Sequence, residues 1–376
     1  MNSNNVKGFK DVTGNNAEKR ALIKEVIKQT FERYGFLPAE TPVIEYEKFV
    51  KGENPNDDAV RDIFKLQDRG KRKLALRYEF TFQLKRLAKN QKLPFRRYQI
   101  GELFRDEPIK EGRVRQFTQC DADVVGSTVK DEAECFSILK EILDALKIEF
   151  TLYINNRKLI NEILDENNIK DKEQVIREID KLDKLSIKEV KTNLKKYKAE
   201  KVLDIFKQKE NYFEKYESYK EIKELKELCK LFGVDVVFRP FLARGFSYYN
   251  GTVFEVWSND LDVSVCGGGS YMVNGIQSTG ISLGLEPLVL LTNIILQIDK
   301  ILIVSLNQDK AAIQLAKKLR KQGKNTTIFY GKPSKALEYA NSYRMKKVIF
   351  VGAKEVKARK FKVKIMKTGR ESFLKI

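Results

Sequence analysis

Histidine is absent from all 376 residues. That excludes Ser-His and Cys-His catalysis, imidazole metal sites and imidazole proton shuttles together. Any chemistry falls to Arg, Lys, carboxylates, Tyr, backbone dipoles and bound ions. Only four cysteines occur (Cys120, Cys135, Cys229 and Cys266), and none forms a C-x-x-C pair. This speaks against a disulfide framework or a thiolate zinc site and for a reducing compartment. Cys120 and Cys266 read as small buried apolar residues rather than reactive thiols. No apolar run reaches the roughly 18 residues of a membrane span. The start, Met1-Asn-Ser-Asn-Asn-Val-Lys7, carries no apolar segment behind a basic one, so no secretory signal is expected. The expectation is a cytoplasmic protein without membrane contact.

The chain has a 42% hydrophobic content, enough for ordinary cores, and its length suggests two or three domains. The net charge of +20 is unevenly spread: residues 301–376 hold 20 basic and 4 acidic residues, whereas residues 151–240 hold 21 and 18. A nearly neutral body thus carries a strongly basic C-terminal module. Such a module concentrates polyanions and points to nucleic acid; the alternative is lysine that merely solubilises a domain.

Periodicity divides the chain further. Asn15 to Arg33 has Ala21, Leu22, Val26, Ile27 and Phe31 at helical spacing, with Gly35 as its stop,. Leu37 to Tyr46 is extended, and its two prolines confine it to an edge or interface. Asp62 to Gln67 and Lys73 to Glu79 read as paired strands, Thr81 to Asn90 as a basic helix, and Asp131 to Leu146 as a strong helix before a strand at Ile148 to Ile154. Residues 155–232 are charged, helical and low in Gly and Pro, a helical insertion into a sheet domain. Lys201 to Lys215 is one of its expected helices. The sheet resumes at Val234 to Arg239, Gly251 to Trp257 and Val263 to Cys266. Gly267-Gly-Gly269 lets backbone approach a ligand or a neighbouring strand closely. From Ile301 strands alternate with helices, implying a small, mainly parallel α/β domain ending in a basic hairpin. The domains expected are a core at 1–154 and 233–299, the insertion at 155–232, and the α/β domain at 300–376.

The stretch from Gly101 to Asp123 is the most informative. It reads as strand, basic turn, strand, with pairing interrupted at Pro108 and the turn at Lys110-Glu-Gly-Arg113,. Arg105, Arg113 and Arg115 fall near the hairpin mouth, with Glu107, Gln119, Asp121 and Asp123 along its arms. Guanidinium forks on an antiparallel sheet suit a polyphosphate; the alternative is a surface hairpin whose charges face water.

Several separated motifs together resemble the class II aminoacyl-tRNA synthetases, specifically the histidyl-tRNA synthetase family. Glu40-Thr-Pro-Val-Ile-Glu45 looks like a dimer-interface motif, and Leu76-Arg-Tyr-Glu-Phe-Thr81 is similar to the amino-acid-binding segment. Phe104-Arg-Asp-Glu107 with Arg115-Gln-Phe-Thr-Gln-Cys-Asp-Ala-Asp123 looks like the second motif in an archaeal-like form. Ala243-Arg-Gly-Phe-Ser-Tyr-Tyr-Asn-Gly-Thr-Val-Phe-Glu255 is close to a signature of the histidyl enzymes. The resemblance runs over essentially the whole chain. It implies an α+β fold: a class II synthetase-like antiparallel sheet flanked by helices, with a helical insertion and a C-terminal α/β domain similar to an anticodon-binding domain. It also implies a homodimer that joins L-histidine to tRNA(His), using ATP as substrate and Mg²⁺.

By the same resemblance Arg105 holds the α-phosphate and Arg244 bridges it to the substrate carboxylate. Glu107 and Phe117 meet the adenine, and Arg113 reaches the γ-phosphate. Glu79, Thr81 and Gln119 receive the α-ammonium, with Phe80 in the same segment. Asp123, Tyr248 and Tyr249 read the imidazole. Metal ligands are not identifiable. Taken singly, Glu79 would usually be a surface carboxylate, and Lys158, Lys181 and Lys184 solvated helix faces. The chain also departs from the family pattern. Glu286-Pro287 stands where the third motif ends in Glu-Arg, Gly268-Gly-Ser-Tyr-Met272 replaces Gly-Gly-Arg-Tyr-Asp, and Ser247 replaces Asp. These substitutions keep a second reading open: a non-catalytic paralogue that binds tRNA or regulates histidine metabolism. An enzyme without its own product amino acid could be translated when charged tRNA for histidine is exhausted; lineage drift or design is the other explanation.

Overall fold

The computed structural model describes residues 3–52, 61–109, 112–183, 185–244, 248–294 and 299–375. Lys110, Glu111, Lys184 and Gly245-Phe-Ser247 therefore lie outside the described residues. Contacts divide the chain into two units, Met1–Ile294 and Ile295–Ile376.

In the first unit the strands are β1 (Leu37–Pro38), β2 (Ile44–Tyr46), β3 (Lys65–Gln67), β4 (Lys73–Leu76), β5 (Phe95–Phe104), β6 (Gln116–Val125), β7 (Thr151–Asn156), β8 (Val237–Phe238), β9 (Tyr249–Ser258), β10 (Leu261–Val273) and β11 (Ile276–Gly284). Eight form one sheet in the order β1-β5-β6-β11-β10-β9-β7-β8, and β2-β4-β3 form a small second one. The central ladders of the large sheet are antiparallel, and only the short edge pairs β1·β5 and β7·β8 are parallel.

The two-residue period of a strand sorts β6 into two faces. Cys120, Ala122 and Val124 enter the hydrophobic core, while Gln119, Asp121 and Asp123 take the other side. Two helices cover the apolar face. Gly14–Arg33 buries Ile23, Ile27 and Phe31, spaced four apart, and Gly35 (φ +77°) ends it in the left-handed region,. Val129–Ala145 opens with a capping box, the Asp131 carboxylate accepting from the Thr128 backbone N–H at 2.9 Å,. Its Phe136 ring meets Phe254 of β9 edge-on at 4.8 Å.

The helices between Arg157 and Leu231 share this core rather than forming one of their own. Tyr219–Leu231 packs on Val129–Ala145, and Leu159, Ile163, Val175, Ile179 and Leu225 are buried with the sheet residues. Three expectations are corrected here. Lys201 to Lys215 is not one helix but Val202–Phe206 followed by a 3-10 turn, Glu210–Lys215, because Lys209 is extended between them. The helix expected over Thr81 to Asn90 is only Leu84–Leu87, since the Phe82 N–H is taken by the Glu79 side chain at 2.5 Å. The strand expected at Val263 to Cys266 runs on through the glycine triplet to Val273.

The second unit continues with β12 (Lys300–Ser305), β13 (Asn325–Tyr330), β14 (Lys347–Val351), β15 (Lys360–Ile365) and β16 (Glu371–Lys375) in the order β13-β12-β14-β15-β16. The first three are parallel and the last two an antiparallel hairpin. Along β12, Ile301 and Ile303 face one hydrophobic cluster and Leu302 and Val304 the other. A parallel strand buried on both sides reads as such a continuous apolar run.

Candidate active site

The polar face of the large sheet carries two adjoining cavities. The first, of about 200 Å³, has Arg105, Glu107, Arg113, Phe117, Arg244, Glu255 and Pro287 among its walls. The second, of about 120 Å³, is walled by Glu79, Thr81, Asp121, Asp123, Tyr248, Tyr249 and Tyr271, among others. Arg105, Gln119, Arg244 and Gly267 line both. Residues from Glu79 to Pro287 thus meet on one surface.

Arg105 leaves the end of β5 with its guanidinium over the Tyr78 ring at 4.4 Å and the Phe117 ring at 5.1 Å. Its Nε donates to the Tyr78 carbonyl at 3.3 Å. Arg244 approaches from the opposite wall with a left-handed backbone, φ +54°. Its Nη1 lies 3.3 Å from both the Phe254 carbonyl and Glu255 Oε1, while its Nε is buried without a hydrogen-bond partner. The glycine triplet makes the room for this. A Cβ on Gly267 would sit 1.6 Å from Arg244 Nη1, and one on Gly268 2.0 Å from the Gly280 carbonyl oxygen.

The smaller cavity is rich in carboxylate. Burial pushes Glu79 up to about 7, against the opposing hydrogen bonds from the Phe82 N–H and the Thr81 hydroxyl. Burial, then the neighbouring Asp123 charge, pushes Asp121 up to about 7. Asp123 is raised too, by burial, with Arg97 and the Tyr271 hydroxyl holding it back. Arg97, fully buried on β5 opposite Asp123, brings Nη2 to 2.9 Å of Asp123 Oδ2, yet that oxygen has no aligned hydrogen bond. The Tyr271 hydroxyl donates to the other oxygen, Oδ1. The Tyr248 and Tyr249 rings stand 4.8 Å apart beside them.

Of the residues given a binding role by the resemblance, Phe80 is the one missing from both cavity walls. Its ring is fully buried under the Arg77 guanidinium at 5.0 Å, and its carbonyl accepts from Arg97. Arg115 turns away from the cavities to pair with Asp106 at 3.0 Å. Lys158 is held in an exposed ion pair with Glu221 and Lys181 in a part-buried one with Glu178. Glu286 and Pro287 both line the larger cavity; the Glu286 carboxylate pairs with Arg20 of the first helix at 2.9 Å and accepts from the Thr118 backbone N–H.

The family model for histidyl-tRNA synthetase matches residues 8–288. Histidine–tRNA ligase 1 of Bacillus anthracis is 33% identical, covering 99% of this chain and 97% of its own length. This chain belongs to the histidyl-tRNA synthetase family. The crystal structure of histidyl-tRNA synthetase from Nostoc sp. PCC 7120 shares the fold, with a TM-score of 0.86 over 100% of this chain and 97% of that one at 24% identity. An ATP phosphoribosyltransferase regulatory subunit/histidyl-tRNA synthetase from Bacillus halodurans has the same fold, with a TM-score of 0.78 at 21% identity, covering 93% of this chain and 98% of that one. These relatives are bacterial, so the archaeal-like form expected of the second motif finds no support. Asp121 and Tyr271 stand in the cavity although the motifs give them no role; two-residue alternation along β6 is the sequence signal for Asp121. Arg97 had none, because its register against Asp123 is not visible in one sequence.

Proposed function

We propose that this chain is an active histidine–tRNA ligase. Histidine's carboxylate oxygen attacks the α-phosphorus of ATP, forming histidyl-adenylate and expelling pyrophosphate. The terminal ribose hydroxyl of tRNA(His) then takes the histidyl group and AMP leaves. The observation that carries this reading is the sharing of both cavities by Arg105 and Arg244, guanidinium groups from distant parts of the chain. Cations fixed in advance around a phosphorus under attack lower the barrier most, because charge builds there.

In this reading Glu107 and Phe117 hold the adenine and Arg113 the γ-phosphate. Glu79, Thr81 and Gln119 receive the α-ammonium. Asp123, Tyr248 and Tyr249 bind the imidazole, whose neutral ring has one donor and one acceptor. A pocket matched to both nitrogens rejects an apolar isostere, since its own buried groups would go unpaired. Mg²⁺ supplies charge neutralisation for the departing pyrophosphate. Glu255 and Glu286 are paired with Arg244 and Arg20, and Glu107 lies 3.9 Å from Arg105. Among the described residues no three acidic groups cluster as a metal site, so a magnesium ion would be held mainly by ATP, with Glu107, Glu255 or Glu286 as the carboxylates available on the cavity wall,. The basic C-terminal unit binds the tRNA. Dimerisation uses the Glu40 to Glu45 stretch, in which Val43 and Ile44, and beside which Leu37 and Tyr46, are exposed. The protein works in the cytoplasm; among the described residues no helix is long and apolar enough to cross a membrane.

Pro287 favours the second reading, a non-catalytic paralogue, because it cannot supply the cation of the third motif. Histidine-dependent exchange of label between pyrophosphate and ATP separates the two. Exchange with histidine alone among the amino acids supports the ligase, and none above background leaves the paralogue.

A further inference from the structure

Histidine brings two kinds of nitrogen donor to the smaller cavity, a ring N–H and an α-ammonium with three N–H groups. Two carboxylate oxygens there are buried without a hydrogen-bond partner, Asp123 Oδ2 and Asp121 Oδ1. Asp123 lies at the Tyr271 end with the ring-binding tyrosines. Asp121 sits two residues back along β6, where its other oxygen accepts from Gln119 Nε2 at 2.9 Å. It is 3% exposed. Its charge raises the proton affinity of Glu79 across the cavity. On Asp121 itself burial and the Asp123 charge act upward, against the Arg97 charge and the hydrogen bonds of Ser282, opposite on β11, and Gln119. Glu79 is already engaged by the Phe82 N–H and the Thr81 hydroxyl, so three ammonium donors need a further acceptor. A buried carboxylate oxygen left without a donor is unfavourable until one meets it, and a charged donor most of all.

We propose that Asp121 receives the α-ammonium of the substrate amino acid beside Glu79 and Gln119, and thereby determines specificity against analogues that lack the amine. This rests on the synthetase reading. The role is one of recognition: Asp121 supplies charge to the amine and takes no part in bond making at phosphorus.

Asp121→Asn keeps the shape and the Gln119 hydrogen bond while removing the charge. Calorimetric titration of the full chain with L-histidine should show affinity reduced roughly 10- to 100-fold, as for a lost charge-assisted hydrogen bond. Titration with 3-(imidazol-4-yl)propanoate, which has the ring and carboxylate but no amine, should change less than about threefold, within the scatter of a bystander substitution. The ligand-free variant should melt at the wild-type temperature or above it, because the amide keeps the Gln119 hydrogen bond and carries no charge for burial to penalise. Asp121→Ser provides the same comparison should the Asn variant fail to fold. Unchanged histidine affinity overturns the assignment. Equal losses for both ligands overturn it too, by placing Asp121 against the ring, as does a wild type that binds no histidine. A wild type that binds histidine but shows no pyrophosphate exchange sinks the catalytic reading alone.

Discussion

Replacing Gly267 with alanine tests how tightly the Arg244 guanidinium is placed. The new Cβ would lie 1.6 Å from Nη1, 2.6 Å from Cζ and 3.0 Å from Nη2, whereas ordinary contact begins at 3.4 Å. The guanidinium must therefore retreat by about 1.8 Å, which no small adjustment of packed atoms can absorb. Displacement by about 1 Å of a group that positions reacting atoms lowers rates by about 100-fold, or roughly 2.7 kcal/mol of barrier. Gly267 has no left-handed backbone, so alanine meets no strain there, and the clash is with the end of a side chain. The expected result is a kcat for histidine-dependent exchange at least about 100-fold down, in a protein that melts near the wild-type temperature. Gly268→Ala is the contrast: its Cβ would strike the Gly280 carbonyl at 2.0 Å, so it should lose stability instead. A Gly267→Ala enzyme with a kcat within about threefold of wild type would refute the reasoning, since an error of this size is not absorbed by a preorganised site.

Three further outcomes follow from the same cavities. Glu79 titrates near 7 in the folded chain against an ordinary value of 4.5, so the native state holds more protons than the unfolded one between those values. Stability therefore falls as pH rises through that window; Glu79→Gln should flatten this slope by up to about 3 kcal/mol, and denaturation at pH 5 and 8 showing the same slope in both proteins would contradict it. Arg97→Met leaves Asp123 buried without its cation and should destabilise by about 3–5 kcal/mol in urea, with recovery on adding Asp123→Leu; a loss under about 1 kcal/mol would put the pair outside the strongly coupled class. In the proposed reading, with proline at 287, Arg113 serves the γ-phosphate from the cavity wall, so Arg113→Ala should raise the KM for ATP by about tenfold or more while histidine binding stays unchanged; an unaltered KM for ATP would remove Arg113 from that role.

How much was legible depended on whether a feature was local. The alternation along Gln116–Val125, the turn around Gly112 and the apolar spacing of Ile23, Ile27 and Phe31 are short-range, and strand, hairpin and helix followed from them. The meeting of Arg105 with Arg244 became readable only through several motifs in one order, because no period links residues so far apart. Arg97 stayed hidden, since a buried arginine opposite an aspartate depends on register across two strands. Sequence adjacency to Glu79 and Thr81 suggests Phe80 for the pocket, yet the chain bends at Phe80 and its ring turns into the packing beneath Arg77. The helix expected at Lys201 to Lys215 failed where Lys209 extends, a break that its charged, helix-favouring composition concealed,.

The most direct test is a crystal structure of the chain with a non-hydrolysable histidyl-adenylate mimic, 5′-O-(N-histidyl)sulfamoyl adenosine. Arg105 and Arg244 should both reach the sulfamoyl group at roughly 2.7–3.2 Å, with the imidazole at Asp123 and the adenine on Phe117. A bound mimic whose sulfamoyl group meets only one of the two guanidinium groups, or neither, would contradict the account.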